Sequence, residues 1–271
     1  MDLKQKANDL RRDILREVYL SKAGHIGGDL SVIEILTVLY YRIMNVSPEN
    51  IHDPDRDRFL LSKGHCVDAL YMVLGDRGFF DKEEAIESFS GSGSRYIGHP
   101  TMDVRGIEIN SGSLGHGISV GVGMALAGRM DGRSYRTYVV VGDGEMAEGS
   151  NYEAMMAAGH YHLDHLCVTV DLNGLQISGR TEDVMNSGDL ADKFRAFGWK
   201  VLEVADGNDP EELVHAYEMA RDVRGCPVAI LAHTVKGKGI SFMEGRKEWH
   251  HGVPGEDEYR RAMGELERMR A

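Results

Sequence analysis

The sequence predicts an α/β fold, a doubly wound and mostly parallel sheet with helices on both faces. Three observations carry this. Thr137 to Val141 (TYVVV) and Leu166 to Val170 (LCVTV) are short β-rich apolar runs, each ending in polar turn residues. Asn151 to Tyr161, between them, has helical composition, and a strand–helix–strand crossover joins parallel strands. Trp199 to Val204 and Val228 to Ala232 repeat the alternation around a helix whose Asp209 and Pro210 read as N-cap and first helical residue. Elements alternating in this way cover both faces of a sheet.

The remaining elements follow in order. Leu10, Ile14 and Val18 recur every four residues among charges, which predicts a first helix. A glycine loop, AGHIGGD, ends it. A second helix is expected from Ser31, where Ser31 and Glu34 have capping-box spacing ahead of Ile35, Leu36, Leu39 and Ile43. Asp81 and Glu84 repeat that signal. Gly255 to Ala271 reads as a charged surface helix with a solvated face. No repeat, low-complexity segment or linker interrupts the chain, so residues 1–271 are expected to form one domain with a short C-terminal helical tail.

Composition narrows the function classes. The net charge of −12 without a basic run argues against a nucleic-acid partner and against an electrostatic membrane anchor. The charged start MDLKQKANDLRRDIL lacks the apolar centre of a signal peptide, and no apolar run is long enough to span a bilayer. Cys66, Cys167 and Cys226 are far apart and form no CxxC pair, which speaks against a disulfide framework or structural zinc and for a reducing, cytoplasmic setting.

Open parallel sheets bind ligands beyond the carboxyl ends of their strands. Asp143 follows the first central run within Gly-Asp-Gly, and Asn173 follows the next, thirty positions on. One crossover thus brings a carboxylate and a carboxamide to one crevice. Hard oxygen ligands of this kind suit Mg²⁺ or Ca²⁺. Gly142 and Gly144 let the backbone approach an anion, and N–H groups of the following helix are placed to cradle a pyrophosphate. Either feature alone is more simply a turn or a loop residue; the pairing at matching strand ends favours a metal–diphosphate site.

Gly-Asp-Gly, about thirty residues and then Asn resembles the thiamine-diphosphate signature. The wider text resembles the transketolase family. AGHIGGDLS, LLSKGH, YIGHP, GSLGHG, GDGEMAEGSNYEA, DLNGLQISG and HTVKGKGISFMEGRKEWHHG occur in the family's order across nearly the whole chain. The resemblance implies a thiamine-diphosphate-binding fold. It also implies Mg²⁺, with Ca²⁺ or Mn²⁺ as substitutes, held by the side chains of Asp143 and Asn173 and the carbonyl of Leu175. Gly144 would donate its N–H, and His65 a hydrogen bond, to the diphosphate. Gly142 and Glu145 belong to the same cofactor-binding segment, and Gly112 and Leu114 would contact the cofactor ring. His25 and His99 match substrate-facing histidines. WHHGVP offers His250 or His251 as a further one; His251, before the glycine, is the better match. Family acidic residues at the positions of Glu148 and Glu153 form a carboxylate network across a subunit interface, which buried flanking residues (Gly149, Ala154, Met155, Met156, Ala157) would support. Imidazoles titrate near neutrality and can move protons on sugar hydroxyls while the cofactor supplies the carbanion. His52, His160, His162 and His165 match no motif and read as structural.

The family's second α/β domain, which grips the cofactor's pyrimidine and supplies a catalytic glutamate, has no counterpart here. The resemblance is therefore to the N-terminal subunit of a split transketolase, paired with a C-terminal subunit in an α2β2 assembly. The expected reaction transfers a two-carbon ketol unit from a ketose to an aldose. Pentose phosphates are the default sugars, with a sulfonated or unphosphorylated ketose open. Rival readings are a deoxyxylulose-phosphate synthase or 2-oxoacid dehydrogenase subunit, and a non-catalytic binding module. A nicotinamide dehydrogenase fits poorly, because Leu126 occupies the third glycine position of GVGMALAG.

Overall fold

Period-two alternation of fully buried side chains is what sorts the central strands onto two faces. In the computed structural model, which describes residues 1–269, five parallel strands form one sheet: β1 (Arg58–Leu61), β2 (Thr137–Gly142), β3 (Leu166–Leu172), β4 (Lys200–Val204) and β5 (Val228–His233). Their order is β1-β2-β3-β5-β4. Helices α1 (Leu3–Ser21), α2 (Ile26–Val38), α3 (Val67–Asp76), α4 (Lys82–Ser88), α5 (Gly117–Met130), α6 (Gly149–His160), α7 (Thr181–Val184), α8 (Leu190–Ala196), α9 (Pro210–Asp222) and α10 (Glu256–Arg268) surround it.

Tyr138, Val140, Val228 and Ile230 face α1, α2, α3 and α9. Val139, Val141, Val168 and Val170 face α5, α6 and α8. The doubly wound expectation therefore holds. The four expected strands and the crossover helix between β2 and β3 are present, with ends shifted by a residue or two. Asp209 caps α9 by accepting from the N–H of Glu211, with Pro210 opening the helix. Asp81 caps α4 in the same manner.

Two expectations need correction. The helix after AGH starts at Ile26 rather than Ser31, and absorbs GGD into its first turns. Ser31 is no N-cap: its hydroxyl donates to Asp171 at 2.6 Å and stands 2.9 Å from the carbonyl oxygen of Gly28. Glu34 instead forms a buried ion pair with Arg11 of α1. Every residue of α2 is buried, so burial rather than an exposed cap fixes its start. Five elements, β1, α3, α5, α7 and α8, add to those expected from the sequence. The tail forms α10 as expected, with Ala262 and Leu266 buried and the charges outward; its last two residues lie outside those described. Among the described residues, no helix is long and apolar enough to cross a membrane.

Candidate active site

Gly142 at the end of β2 lies in register with Asp171 of β3, so the residues just beyond both strands share one crevice. Asp143 accepts from the N–H of Gly144 at 2.8 Å and from that of Gly174 at 2.6 Å. Its carboxylate therefore grips the loop that carries Asn173. The Asn173 carbonyl oxygen accepts from the N–H of Leu175 at 3.1 Å, and its amide donates to Ser31 and Asp171, both at 3.3 Å. Burial, then the charge of Asp171, push Asp143 up to about 6, as expected of a carboxyl with too little positive charge beside it. Beside Asp143 a cavity of about 370 Å³ opens, lined in part by Thr181, Asn186, Asp189 and His233.

These residues fit a hard dication bound with a diphosphate. Asp143, Asn173 and the Leu175 carbonyl offer only oxygen donors. No group of three or more His, Cys, Asp or Glu side chains suited to a metal occurs among the described residues. A protein contribution this small suits an ion that takes its other ligands from phosphate oxygens and water.

Two buried lysines, to which the sequence alone assigns no role, supply positive charge beneath the crevice. Lys63, in SKGH, pairs with Asp171. Burial opposes its charge, but Asp171 prevails and holds the ammonium well above its usual range. Asp171 also accepts from Ser31 and Thr234. Lys236, in HTVKGKG, donates to the Leu175 carbonyl at 3.2 Å and meets Nδ1 of His250 at 2.8 Å. Burial, then the charge of Lys63, lower it to about 8. A metal drawing on the Leu175 carbonyl would share it with Lys236, which two lone pairs permit. Both lysines stand inside recognisable motifs, but their burial depends on tertiary packing and leaves no local signal.

Above this floor the chain gathers five histidines from four separate segments. The His25 ring centroid lies 5.4 Å from His65, 5.9 Å from His99, 5.7 Å from His250 and 4.6 Å from His251. Burial, then the neighbouring His251, lower His25 to about 4; burial, then Lys236, lower His250 to about 3. Burial likewise lowers His65 and His99. At neutral pH these four rings are uncharged and able to accept a proton or a hydrogen bond. His250 is the inner member of WHHG, against Lys236 and His65, while His251 is exposed and nearest His25.

The remaining predicted residues divide. Gly112 has φ +139°, and a Cβ there would meet His99 Cδ2 at 2.9 Å, so the GSLG loop passes tightly over that ring; Leu114 is half-buried in it. Gly144 spends its N–H on Asp143. Glu145 does not face the crevice. It is buried and accepts from the Ser62 hydroxyl, from Gly115 N–H at 2.8 Å and from Gly142 N–H at 3.1 Å. Both its oxygens are thus engaged by the protein, and it braces the crevice wall. Glu148 and Glu153 are exposed in this chain, and so are Gly149 and Met156. The buried flank expected around them is limited to Ala154 and Met155, with Ala157 half-buried, because only one side of α6 packs on the sheet.

Comparison with known proteins agrees with this geometry. A family profile described as "Transketolase, thiamine diphosphate binding domain" matches residues 3–266. The chain is 48% identical over 266 residues to one named subunit of the apulose-4-phosphate transketolase of Phocaeicola vulgatus, covering 98% of this chain and 93% of that protein. It is 42% identical over 271 residues to 6-deoxy-6-sulfo-D-fructose transketolase subunit SqwG of Clostridium sp. strain MSTE9, covering 99% and 97%. Its fold superposes on transketolase from Leishmania mexicana with a TM-score of 0.92 at 31% identity, covering 98% of this chain and 41% of that one. A parallel sheet with an oxygen-lined crevice at its carboxyl edge, matched over almost its full length by these proteins, belongs to the transketolase family as its N-terminal, thiamine diphosphate binding domain.

Proposed function

We propose that this chain is the cofactor-diphosphate-binding subunit of a two-chain transketolase, transferring a two-carbon ketol unit from a ketose to an aldose. The observation that carries the reading is the cluster of His25, His65, His99, His250 and His251, tied to the Asp143–Asn173 crevice through Lys236, which contacts both His250 and the Leu175 carbonyl. Thiamine diphosphate, when bound, would supply a nucleophilic carbon for cleavage beside a ketose carbonyl. Asp143, Asn173 and the Leu175 carbonyl hold Mg²⁺, and Lys236 and His65 hold the diphosphate. His25 and His99, neutral and half-buried, orient the sugar hydroxyls and accept or return their protons. His250, fixed by Lys236, and His251 border the same space. The domain that grips the pyrimidine and contributes a catalytic glutamate comes from a C-terminal partner subunit, in an α2β2 assembly in the cytoplasm. That the similar proteins of Phocaeicola vulgatus and Clostridium are themselves named as subunits supports a partner. Apulose 4-phosphate is accordingly the first donor to assay, before sulfonated ketoses and pentose phosphates.

Titration calorimetry on the assembled pair tests the site. Asp143→Ala is expected to abolish Mg²⁺-dependent cofactor binding; unchanged affinity would remove Asp143 from the site. His25→Ala and His99→Ala should keep cofactor affinity and lower turnover by about 10²–10⁴-fold, the scale of a lost acid–base group. Turnover of pyruvate in place of every ketose donor would favour the synthase or dehydrogenase alternative.

A further inference from the structure

Beneath the histidines lie three carboxyl groups that the proposed reaction does not use. Glu17 of α1, Asp29 of α2 and Asp68 of α3 are buried, with relative exposures of 0% each. Asp29 Oδ1 accepts from the N–H of Ala69, in the first turn of α3, at 3.1 Å. Asp68 Oδ2 accepts from the N–H of His25, the residue just before α2, at 3.1 Å. Each aspartate therefore caps the start of the other's helix. His25 offers no side-chain cap of its own to α2, and neither Lys63 nor Cys66 caps the turns leading into α3. The two helix starts carry His25 and, through the Gly64–Cys66 turn, His65.

Space around the pair is fully used. Gly24 has φ +135°, and a Cβ there would stand 2.6 Å from Asp68 Oδ2, so a glycine is what lets the chain cross over the carboxyl. Asp29 Oδ2, Asp68 Oδ1 and both oxygens of Glu17 find no N–H or O–H donor among the described residues. Burial, then the charge of Asp68, hold the Asp29 carboxyl well above the usual carboxylate range. Two carboxyls crowded together away from water do not both ionise readily, so one of them keeps its proton.

We infer that Asp29 and Asp68 are positioning residues: by capping each other's helices they fix His25 relative to His65, and so set where the sugar is met relative to the cofactor diphosphate. The inference rests on the transketolase reading for what those histidines do, but not for where they are held. The device works while one of the pair keeps its proton. Two bare carboxylates would repel across the α2–α3 contact, and among the described residues no cation pairs with them directly. The titratable groups that face them are Glu17 and Asp13 from α1, His25 ahead of α2, Tyr71 of α3, and Cys66 and Lys63 from the segment before α3. Among these only Lys63 is a fixed cation, and it is paired with Asp171.

Asp68→Ala and Asp68→Asn separate this role from general stability. An asparagine can still accept from the His25 N–H and, like a protonated carboxyl, adds no charge beside Asp29; alanine cannot cap at all. In the full chain assembled with its partner, Asp68→Ala is expected to lower kcat by about tenfold or more with KM for cofactor little changed, the cost of a misplaced group. Asp68→Asn is expected to restore most of it. Imidazole resonances of His25 and His65 in the free chain should move in Asp68→Ala and return in Asp68→Asn. Unmoved resonances in Asp68→Ala, or an asparagine variant as impaired as alanine, would overturn the inference. Should the alanine variant not fold, wild type against Asp29→Asn carries the test. The two histidine resonances should shift together at alkaline pH in wild type and stay fixed in Asp29→Asn; identical titrations would overturn it. The resonance measurements need no substrate, so absent ketol transfer in wild type would sink the proposed activity and leave the positioning role to be judged separately.

Discussion

Glu17 shows how a single side chain can make the molecule's stability depend on pH. Burial, then the charges of Asp68 and Asp29, hold its carboxyl well above the usual range, and burial pushes Asp68 up to about 7. Unfolded carboxyls release their protons near pH ~4. Between that value and the raised folded values the native chain holds protons that the unfolded chain has lost, so stability falls as pH rises through this window and levels off above it. His25 and His250 act in the opposite sense, since their lowered values make stability rise with pH up to about 6.5. A comparison of variants isolates the acid contribution. Glu17→Gln should flatten the fall of melting temperature between about pH 5 and 8 relative to wild type. Parallel curves in a thermal scan of the free chain would show that Glu17 is already ionised in the fold. None of this is legible in the sequence. Glu17, Asp29 and Asp68 sit on three helices with no shared spacing, and nothing local distinguishes them from surface acids. Asp143 and Asn173 are legible because each ends a strand whose apolar run is visible, and one crossover fixes their proximity.

Elements are readable in proportion to how local their determinants are. Asp209-Pro210 and Asp81 announce helix starts because the cap is satisfied within three residues. Ser31 and Glu34 carry an equally good local signal and mislead, because α2 is buried along its length and both side chains are claimed by distant partners, Asp171 and Arg11. The strand Arg58–Leu61 escapes notice because four residues after a charged run show no period. Close approaches between elements are also invisible. Gly159, near the end of α6, packs against the carbonyl of Phe197 in the turn after α8, where a Cβ would collide with the backbone. Gly159→Ala is therefore expected to cost about 1–3 kcal/mol through overpacking, even though alanine is the better helix former. Gly149, on the same helix, has nothing within 4 Å of its would-be Cβ, so Gly149→Ala should be neutral or stabilising by up to about 1 kcal/mol. Denaturant unfolding of the two variants decides the matter, and equal effects would show that the α6–α8 contact yields freely.

At the scale of the whole molecule, the crevice is bordered by apolar surface that the sheet and its helices do not cover. Ile177 is 73% exposed, Met185 60% and Val184 43%, all on the segment that follows Asn173 and Leu175. Met102, 64% exposed, and Ile97, 41% exposed, flank His99 on another side. Large apolar side chains grouped around a site, rather than scattered, mark a surface meant to be covered. A net charge of −12 opposes self-association, so this rim could stay open until the partner proposed above closed it. A partner seated there would also exclude water from the histidine ring, which raises the worth of every hydrogen bond inside it. Ile177→Asp with Met185→Asp should therefore leave the melting temperature of the free chain within a degree or two, since exposed substitutions outside the core shift stability by only about 0.5 kcal/mol. The same pair should weaken association with the proposed C-terminal subunit by about 100-fold or more, the scale of losing a central apolar anchor. Sedimentation velocity of the mixed subunits reads this directly. An undiminished complex would place the partner on another face, and these exposed apolar side chains would then need a different explanation.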